Sequence, residues 1–287
     1  MLLDIMMTLY GKQKEIENKL NTVTNAWLYE AKTILCHVLE MEPIELVLSK
    51  NKMLSNDEVE KIDAMIKGRL QRIPLQYLTK NQGFYGLDFY VDEHVLIPRP
   101  ETEVLVEKVL KYAKTLNSKE ELTILDIGVG SGAISIAIAK RLDKGHVTGI
   151  DISEQALNVA VVNAKTHGVE DKVTFFKSDL FENVTKCYDI IVSNPPYIPV
   201  PDLSTLEPEV ADHEPHLALF GGEDGLDFYR RLIPEAVVFL NESGILFLEA
   251  GHDQFEAIEK LFEISGFKEV NHFEDLNGIP RFIYGKR

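Results

Sequence analysis

Cysteine is almost absent: Cys36 and Cys187 are the only two in 287 residues. Their number and separation exclude a disulfide framework and a thiolate zinc site, and they point to a reducing, cytoplasmic setting. Nowhere do about 18 apolar residues run together, the length that a membrane-spanning helix needs, so no membrane association is expected. The first residues, Met1-Leu2-Leu3-Asp4-Ile5-Met6-Met7, are interrupted by an acid and carry neither a basic stretch nor a small-residue cleavage site. No signal peptide is expected from them. Basic residues are few beside acidic ones, 30 against 46, for a net charge of −16. That balance argues against a general binder of nucleic-acid phosphates and leaves room only for a local basic patch. The two signs cancel over the first 80 residues, so the negative field belongs to the remainder, where it keeps the surface soluble and could attract a basic protein loop. Repeats of fixed period and low-complexity tracts are also missing.

What is present is an ordinary globular composition, 45% hydrophobic, in a length that suits one large domain and one small one. Up to residue 74 apolar positions recur at helical spacing, as in Ala26, Tyr29, Ala31, Ile34, Leu35, Val38 and Leu39, which predicts a small all-α bundle. Ser55-Asn56-Asp57-Glu58 ahead of Val59, Ile62 and Ile66 marks a helix start, because a Ser or Asn oxygen can accept from free first-turn amides. Residues 75–97 change to short, aromatic, glycine-punctuated alternation and predict a β-hairpin linker. From 98 to 287 strand and helix patterns alternate. Strands are expected at Leu122–Asp126, His146–Asp151, Val173–Phe176, Asp189–Ser193 and Gly244–Glu249 and in two final runs. Helices are expected at Ala133–Leu142, Ser153–His167 with Gly168 as a left-handed stop, near Phe228–Leu240, and at Gln254–Ile264. Such alternation predicts an α/β fold, a mostly parallel doubly wound sheet covered by helices on both faces.

Two strand ends carry chemistry. After the first strand, Asp126-Ile127-Gly128-Val129-Gly130-Ser131-Gly132 opens a helix, where glycines permit close backbone approach and helix amides face a ligand. An adenosine-type cofactor fits there, although Gly128, Gly130 and Ala133 also satisfy a relaxed dinucleotide pattern and keep a nicotinamide-dependent oxidoreductase open. Asp151 ends the second strand about 20 residues on, placed either to accept both hydroxyls of a ribose or to cap the following helix. Asp179 and Leu180 close the third strand, where a polar group and an apolar surface could flank an adenine. Ser193-Asn194-Pro195-Pro196-Tyr197 follows the fourth. Two prolines fix the backbone and remove two donors, leaving the Asn194 side chain and the Pro195 carbonyl as acceptors beside an aromatic face. An NH₂ group can donate one hydrogen to each while Tyr197 favours positive charge, so the pocket suits methylation of a planar nitrogen.

Taken in order, Ile97-Pro98-Arg99-Pro100-Glu101-Thr102-Glu103, Asp126–Gly132, Asn194–Tyr197, and Glu207-Pro208-Glu209 followed by Ala218–Tyr229 resemble segments of the class I S-adenosylmethionine-dependent methyltransferases. Within these the chain is similar to the protein-glutamine methyltransferases that modify peptide chain release factors. The resemblance implies a Rossmann-like seven-stranded catalytic domain, S-adenosyl-L-methionine as methyl donor with S-adenosyl-L-homocysteine as product, and the glutamine of a Gly-Gly-Gln loop as acceptor. It implies cofactor contacts at Gly128, Val129, Gly130, Ser131, Gly132, Asp151, Asp179, Leu180 and Asn194. Asn194, Pro195, Pro196 and Tyr197 would bind substrate, with Asn194, Pro195 and Tyr197 catalytic. Leu180 stands where some relatives carry an aromatic. The helical N-terminal domain would recognise the substrate protein, since a small acceptor pocket cannot choose one glutamine among many. Asn-Pro-Pro-Tyr is shared with amino-methylating DNA enzymes, so a DNA adenine methyltransferase is the second reading, opposed by the acidic charge and the lack of a basic recognition insert. No metal is expected, because His213, His216 and His252 lack ligand partners at metal spacing. Arg99 and Glu101 are expected to form an ion pair that holds the linker rather than to act in catalysis, although the resemblance implies that they lie beside the cofactor and substrate cleft, and the chain is expected to be a monomer.

Overall fold

The computed structural model describes residues 7–116 and 121–287. In chain order the first elements are α1 (Leu9–Leu20), α2 (Trp27–Leu39), α3 (Pro43–Leu48), α4 (Asn56–Leu70) and α5 (Leu75–Thr79), then strands β1 (Gln82–Phe84) and β2 (Leu87–Phe89). There follow α6 (Thr102–Thr115), β3 (Thr123–Ile127), α7 (Ala133–Ala139), β4 (His146–Asp151), α8 (Glu154–His167), β5 (Val173–Lys177) and β6 (Tyr188–Ser193). The last are α9 (Pro208–His213), α10 (Asp227–Phe239), β7 (Leu240–Glu249), α11 (Phe255–Ile264), β8 (Lys268–Glu274) and β9 (Pro280–Lys286). The chain divides into two compact units, residues 1–80 with 208–213, and residues 81–207 with 214–287.

The first unit is helical because its apolar residues fall on one face of each helix. Ile16 and Leu20, Ile34 and Leu35, and Ile62 and Ile66 meet in one core from α1, α2 and α4. The start of α4 is the predicted one: Ser55 Oγ accepts from the Glu58 amide at 3.2 Å and the Glu58 carboxylate accepts from the Ser55 amide at 2.7 Å. Residues 75–79, part of the expected hairpin segment, instead form α5, because Leu75 and Tyr77 are buried from one helical turn. Arg69 at the end of α4 is 2% exposed and donates to Glu30 from Nε at 2.7 Å and from Nη2 at 3.2 Å. Its Nη2 also reaches Glu209 of α9 at 2.9 Å. A helix far down the sequence thus belongs to this unit through a single bond from a guanidinium that is bidentate to Glu30.

The second unit begins with a hairpin closed by Tyr85 and Gly86, both at positive φ (51° and 73°), the turn geometry whose twist matches paired strands. Its main sheet has seven strands in the order β5-β4-β3-β6-β7-β9-β8, parallel except where β9 pairs antiparallel with β7 and β8. Ile190 and Val192 of β6 and Ile245 and Phe247 of β7 enter one core, shared with α6 and α7. The intervening Ile191, Leu246 and Leu248 enter the other, shared with α10 and α11. The runs 190–192 and 245–248, apolar at every position, are therefore covered on both faces. From β3 the chain winds outward through β4 and β5, then returns to β6 on the other side of β3. The order reverses between β3 and β6, and ligands bind outside the carboxyl ends of strands at such a reversal. The long segment expected as a Pro-rich loop after β6 contains α9 and two short 3₁₀ turns, Val200–Thr205 and His216–Ala218.

Candidate active site

Strand register brings the two motifs together. Ile127 of β3 pairs with Ser193 of β6, and the Ser193 hydroxyl donates to the Ile127 carbonyl at 2.7 Å. The glycine loop and Asn194–Tyr197 therefore leave the sheet side by side. The loop is bent back on itself: the amides of Gly128 and Val129 both donate to the Ile150 carbonyl, at 2.9 and 3.0 Å, and the Gly130 amide to Asp151 Oδ2 at 2.9 Å. Gly128 and Gly130 hold φ of +78° and +53°, and no heavy atom lies within 4 Å of where their Cβ atoms would stand. Their backbone thus faces open space that a ligand can approach. Gly132 serves packing instead, since a Cβ there would lie 2.8 Å from Ile136 and 3.2 Å from Ala160.

A cavity of about 290 Å³ opens at this edge, near the lower end of the range for ligand sites. Gly128, Gly130, Asp151, Asp179 and Leu180 line one part of it, and Asn194, Pro195 and Pro196 another. Four of the expected residues lie off its wall. Val129 packs with Leu157 and Ala160, the Ser131 carbonyl accepts from Asn163 at 2.8 Å, Gly132 caps α7, and the Tyr197 ring lies against the apolar core on the α10 side.

Three aspartates stand at neighbouring strand ends. Asp126, 0% exposed, accepts from the Ser135 hydroxyl at 2.6 Å through one oxygen, while its Oδ1 is buried without a partner among the described residues. Burial pushes its carboxyl up to about 7. Asp151 accepts from the amides of Gly130 and Ser153, both at 2.9 Å, and burial raises it too. The cap of α8 is Ser153, whose hydroxyl accepts from the Ala156 amide at 3.2 Å, so Asp151 fixes the loop rather than capping the helix itself. Asp179 pairs with Arg231 at 2.9 Å, and both line the cavity. The carboxylates on the cavity wall, Asp151 and Asp179, suit a cationic nucleoside ligand, whereas the diphosphate of a dinucleotide would meet them as like charge. The residues therefore fit S-adenosylmethionine better than a nicotinamide dinucleotide.

Around Asn194 the sequence left several residues unread. Asn194 Nδ2 donates to Thr102 Oγ1 at 3.2 Å, and the Thr102 hydroxyl donates to Glu249 Oε2 at 2.7 Å. Thr102 lies inside the 97–103 segment, but Glu249 carried no signal beyond ending a strand. Asn163, fully buried on α8, clamps the Tyr90 amide and the carbonyls of Tyr90 and Ser131. Gln254 donates to the Tyr197 carbonyl at 2.9 Å and fixes the end of the motif. Burial, with the Glu249 charge nearby, pushes the Tyr197 hydroxyl up to about 12, so it stays protonated. The expected Arg99–Glu101 pair is not formed. Arg99 Nη2 donates to Glu214 at 2.5 Å, because Glu214 is buried and needs a cation, whereas Glu101 sits half-exposed at the start of α6. Among the described residues no cluster of His, Cys, Asp and Glu could hold a metal, and no helix is long and apolar enough to cross a membrane.

Fold and site together define a methyltransferase, and the catalytic unit matches the Methyltransferase small domain family over residues 102–204. Residues 14–79 match the PrmC N-terminal domain. Curated relatives named release factor glutamine methyltransferase include one from Geobacter sulfurreducens, 42% identical over 92% of this chain and 90% of its own, and one from Thermodesulfovibrio yellowstonii, 38% identical over 96% and 97%. The chain belongs to the release factor glutamine methyltransferase family. Solved structures share the fold at lower identity. A methyltransferase from Pyrococcus furiosus has a TM-score of 0.52 at 20% identity over 77% of this chain and 98% of that one. The human methyltransferase 10 domain containing protein has 0.51 at 17% identity over 70% and 88%.

Proposed function

We propose that the protein transfers a methyl group from S-adenosyl-L-methionine to the side-chain amide nitrogen of the glutamine in the Gly-Gly-Gln motif of peptide chain release factors. The observation that carries this is the orientation of Asn194. With its NH₂ bonded inward to Thr102, its carbonyl oxygen is left as acceptor on a residue that lines the cavity beside Pro195. A pair of neutral acceptors recognises an NH₂ group and discriminates against a hydroxyl or a carboxylate. Relatives of this length and similarity are named for release factor glutamine, which supplies the acceptor class.

The cofactor, when bound, supplies an electrophilic methyl group on a sulfonium. Gly128 and Gly130 give it backbone approach, Asp151 and Asp179 supply acceptors and negative field, and Leu180 supplies an apolar face. Val129, Ser131 and Gly132 support the loop from behind. A glutamine nitrogen is a poor nucleophile because its lone pair is delocalised into the carbonyl. Asn194 and Pro195 each accept one of its hydrogens and hold the nitrogen in line with the methyl carbon. As the lone pair forms the new N–C bond and the C–S electrons return to sulfur, positive charge grows on nitrogen and both hydrogen bonds strengthen, which is differential stabilisation of the transition state. Tyr197, whose ring lies against the apolar core, anchors the end of the motif through its carbonyl rather than covering the nitrogen. The methylated nitrogen is strongly acidic and loses its proton to water, so no strong base is required. The helical unit, which exposes Tyr29, Ile44 and Leu48 as apolar side chains, recognises the substrate protein. The enzyme works in this reading as a cytoplasmic monomer.

Peptide mass spectrometry of a release factor incubated with the protein and S-adenosyl-L-methionine tests the reading. One methyl group on the Gly-Gly-Gln glutamine is expected. Asn194→Ala should lower the rate by at least about 100-fold while cofactor affinity stays within a few-fold. Methylation elsewhere, or equal loss of transfer and cofactor binding, would refute the assigned roles.

A further inference from the structure

Asn194 is useful only in one of its two amide orientations. Rotated by half a turn it would present NH₂ to an NH₂ substrate, and donor would face donor. Something must choose between the two, and the strand register shows what stands next to it. Ser193 of β6 pairs with Leu248 of β7, so the residues that follow, Asn194 and Glu249, emerge as neighbours. Thr102, the first residue of α6, is buried between them.

The chain of hydrogen bonds has a direction. An ionised carboxylate accepts only, so across their 2.7 Å contact Thr102 must donate its one hydroxyl hydrogen to Glu249. Toward Asn194 that hydroxyl then has only lone pairs, and it takes Nδ2 at 3.2 Å. A flipped Asn194 would set a carbonyl oxygen against those lone pairs. We infer that Glu249, acting through Thr102, is a positioning residue that locks Asn194 with its carbonyl oxygen toward the acceptor nitrogen. The inference rests on the role proposed for Asn194 and adds the device that makes that role possible.

Glu249 is 2% exposed, closes β7, and carries no ion pair among the described residues. Around it stand the Thr102 hydroxyl and the Asn194 amide, with Arg281 of β9, Glu101 at the start of α6 and the Tyr197 hydroxyl as charged or titratable neighbours. The Tyr229 hydroxyl of α10 donates to its backbone carbonyl at 2.7 Å, so that hydroxyl holds the strand and not the carboxylate. Burial raises the carboxyl to about 7, with Glu101 adding to the shift and Arg281 opposing it. A protonated Glu249 can donate to Thr102 and reverse the chain, so the relay keeps its direction only in the ionised form. Turnover should therefore rise with pH through neutrality.

The test uses the full chain with S-adenosyl-L-methionine and a release factor, and reads kcat, both KM values and the pH profile of kcat. Glu249→Gln removes the acceptor-only group, and Thr102→Val removes the hydroxyl at nearly constant shape. Each should lower kcat by up to about 100-fold, the effect of a small misplacement, with both KM values within about 3-fold. Thr102→Ser, which keeps the hydroxyl, should return most of the rate lost in Thr102→Val. The neutral-pH rise should vanish in Glu249→Gln. Unchanged kcat and profile in Glu249→Gln, or a fall in kcat matched by lost cofactor binding, would overturn the inference. If Glu249→Gln does not fold, the Val and Ser variants at Thr102 decide alone, and equal rates in the two would overturn it. Asn194→Ala runs in parallel: if it retains the wild-type rate, the role proposed for Asn194 has failed rather than the relay.

Discussion

In the helical unit the buried Arg69 guanidinium faces Glu30 at 2.7 and 3.2 Å, whereas in the sheet unit the buried carboxylates of Asp126 and Glu249 face the hydroxyls of Ser135 and Thr102 at 2.6 and 2.7 Å. The first arrangement neutralises charge with charge and has no capacity left over. The second leaves acceptor capacity, openly so at Asp126 Oδ1. A hydroxyl stabilises a buried carboxylate less than a cation does, so both groups are pushed up to about 7 by burial. Buried charge at Arg69, as at the Arg99–Glu214 pair of the second unit, thus serves architecture, whereas at Asp126 and Glu249 it keeps acceptor capacity for a neighbouring group.

The sharpest way to break this comparison is to remove the cation. Arg69→Met keeps most of the side-chain volume and strands Glu30 without its partner, while Glu209 keeps Arg72 Nη2 at 2.6 Å. Breaking a buried pair from one side costs about 3–5 kcal/mol, and a loss of that size is expected in denaturant unfolding at neutral pH. A loss below about 1 kcal/mol would mean that the pair is no more than a surface bridge.

The ion pair also shows where sequence reading stops. Helical periodicity located the bundle, and the Ser55-Asn56-Asp57-Glu58 signal located the start of α4, because both depend on residues a few positions apart. Glu209 joining Arg69 across 140 positions has no local signature. In the sheet unit, glycine, aspartate and proline at strand ends mark the loops that border the cavity, since those backbone conformations demand particular residue types. Glu249 did not announce itself, because its role depends on the pairing of Ser193 with Leu248. Arg99 was misassigned to Glu101 for the same reason: proximity in sequence suggested a pair, and the buried Glu214, distant in sequence, takes the cation. Tyr197 is adjacent to the acceptors in sequence, yet its ring lies against the core.

Asp126→Asn probes the other side of the comparison. The folded carboxyl, near 7, lies above the ordinary value of 3.8, so between those limits the native state keeps a proton that the unfolded chain releases. Stability therefore falls as pH rises from about 4 to 7 and is level above. An amide has no such burden. Asp126→Asn should gain on the order of 4 kcal/mol at pH 8 and little at pH 4, while cofactor affinity drops. Unfolding curves at the two pH values check the first part, and calorimetric titration with S-adenosyl-L-methionine checks the second. Equal shifts at both pH values would show that the carboxylate carries no cost of burial.

The smallest effect asks whether the two units differ also in their local chemistry. Ser55 and Ser153 play the same part, each accepting from an amide in the first turn at 3.2 Å. A cap is satisfied within one turn, so Ser→Ala should cost about 1 kcal/mol at either position, whatever the surrounding architecture. Ser153, however, lines the cavity, and its amide is held by Asp151, which also pins Gly130. That bond uses the backbone and survives Ser153→Ala. The two variants should therefore lose equal stability, and Ser153→Ala should bind S-adenosyl-L-methionine within about 3-fold of wild type, well under the tenfold that 1.4 kcal/mol would represent. A Ser153→Ala variant that loses several times more affinity would mean that the hydroxyl itself touches the ligand, and the contrast between the units would then extend from their buried charges to their helix caps.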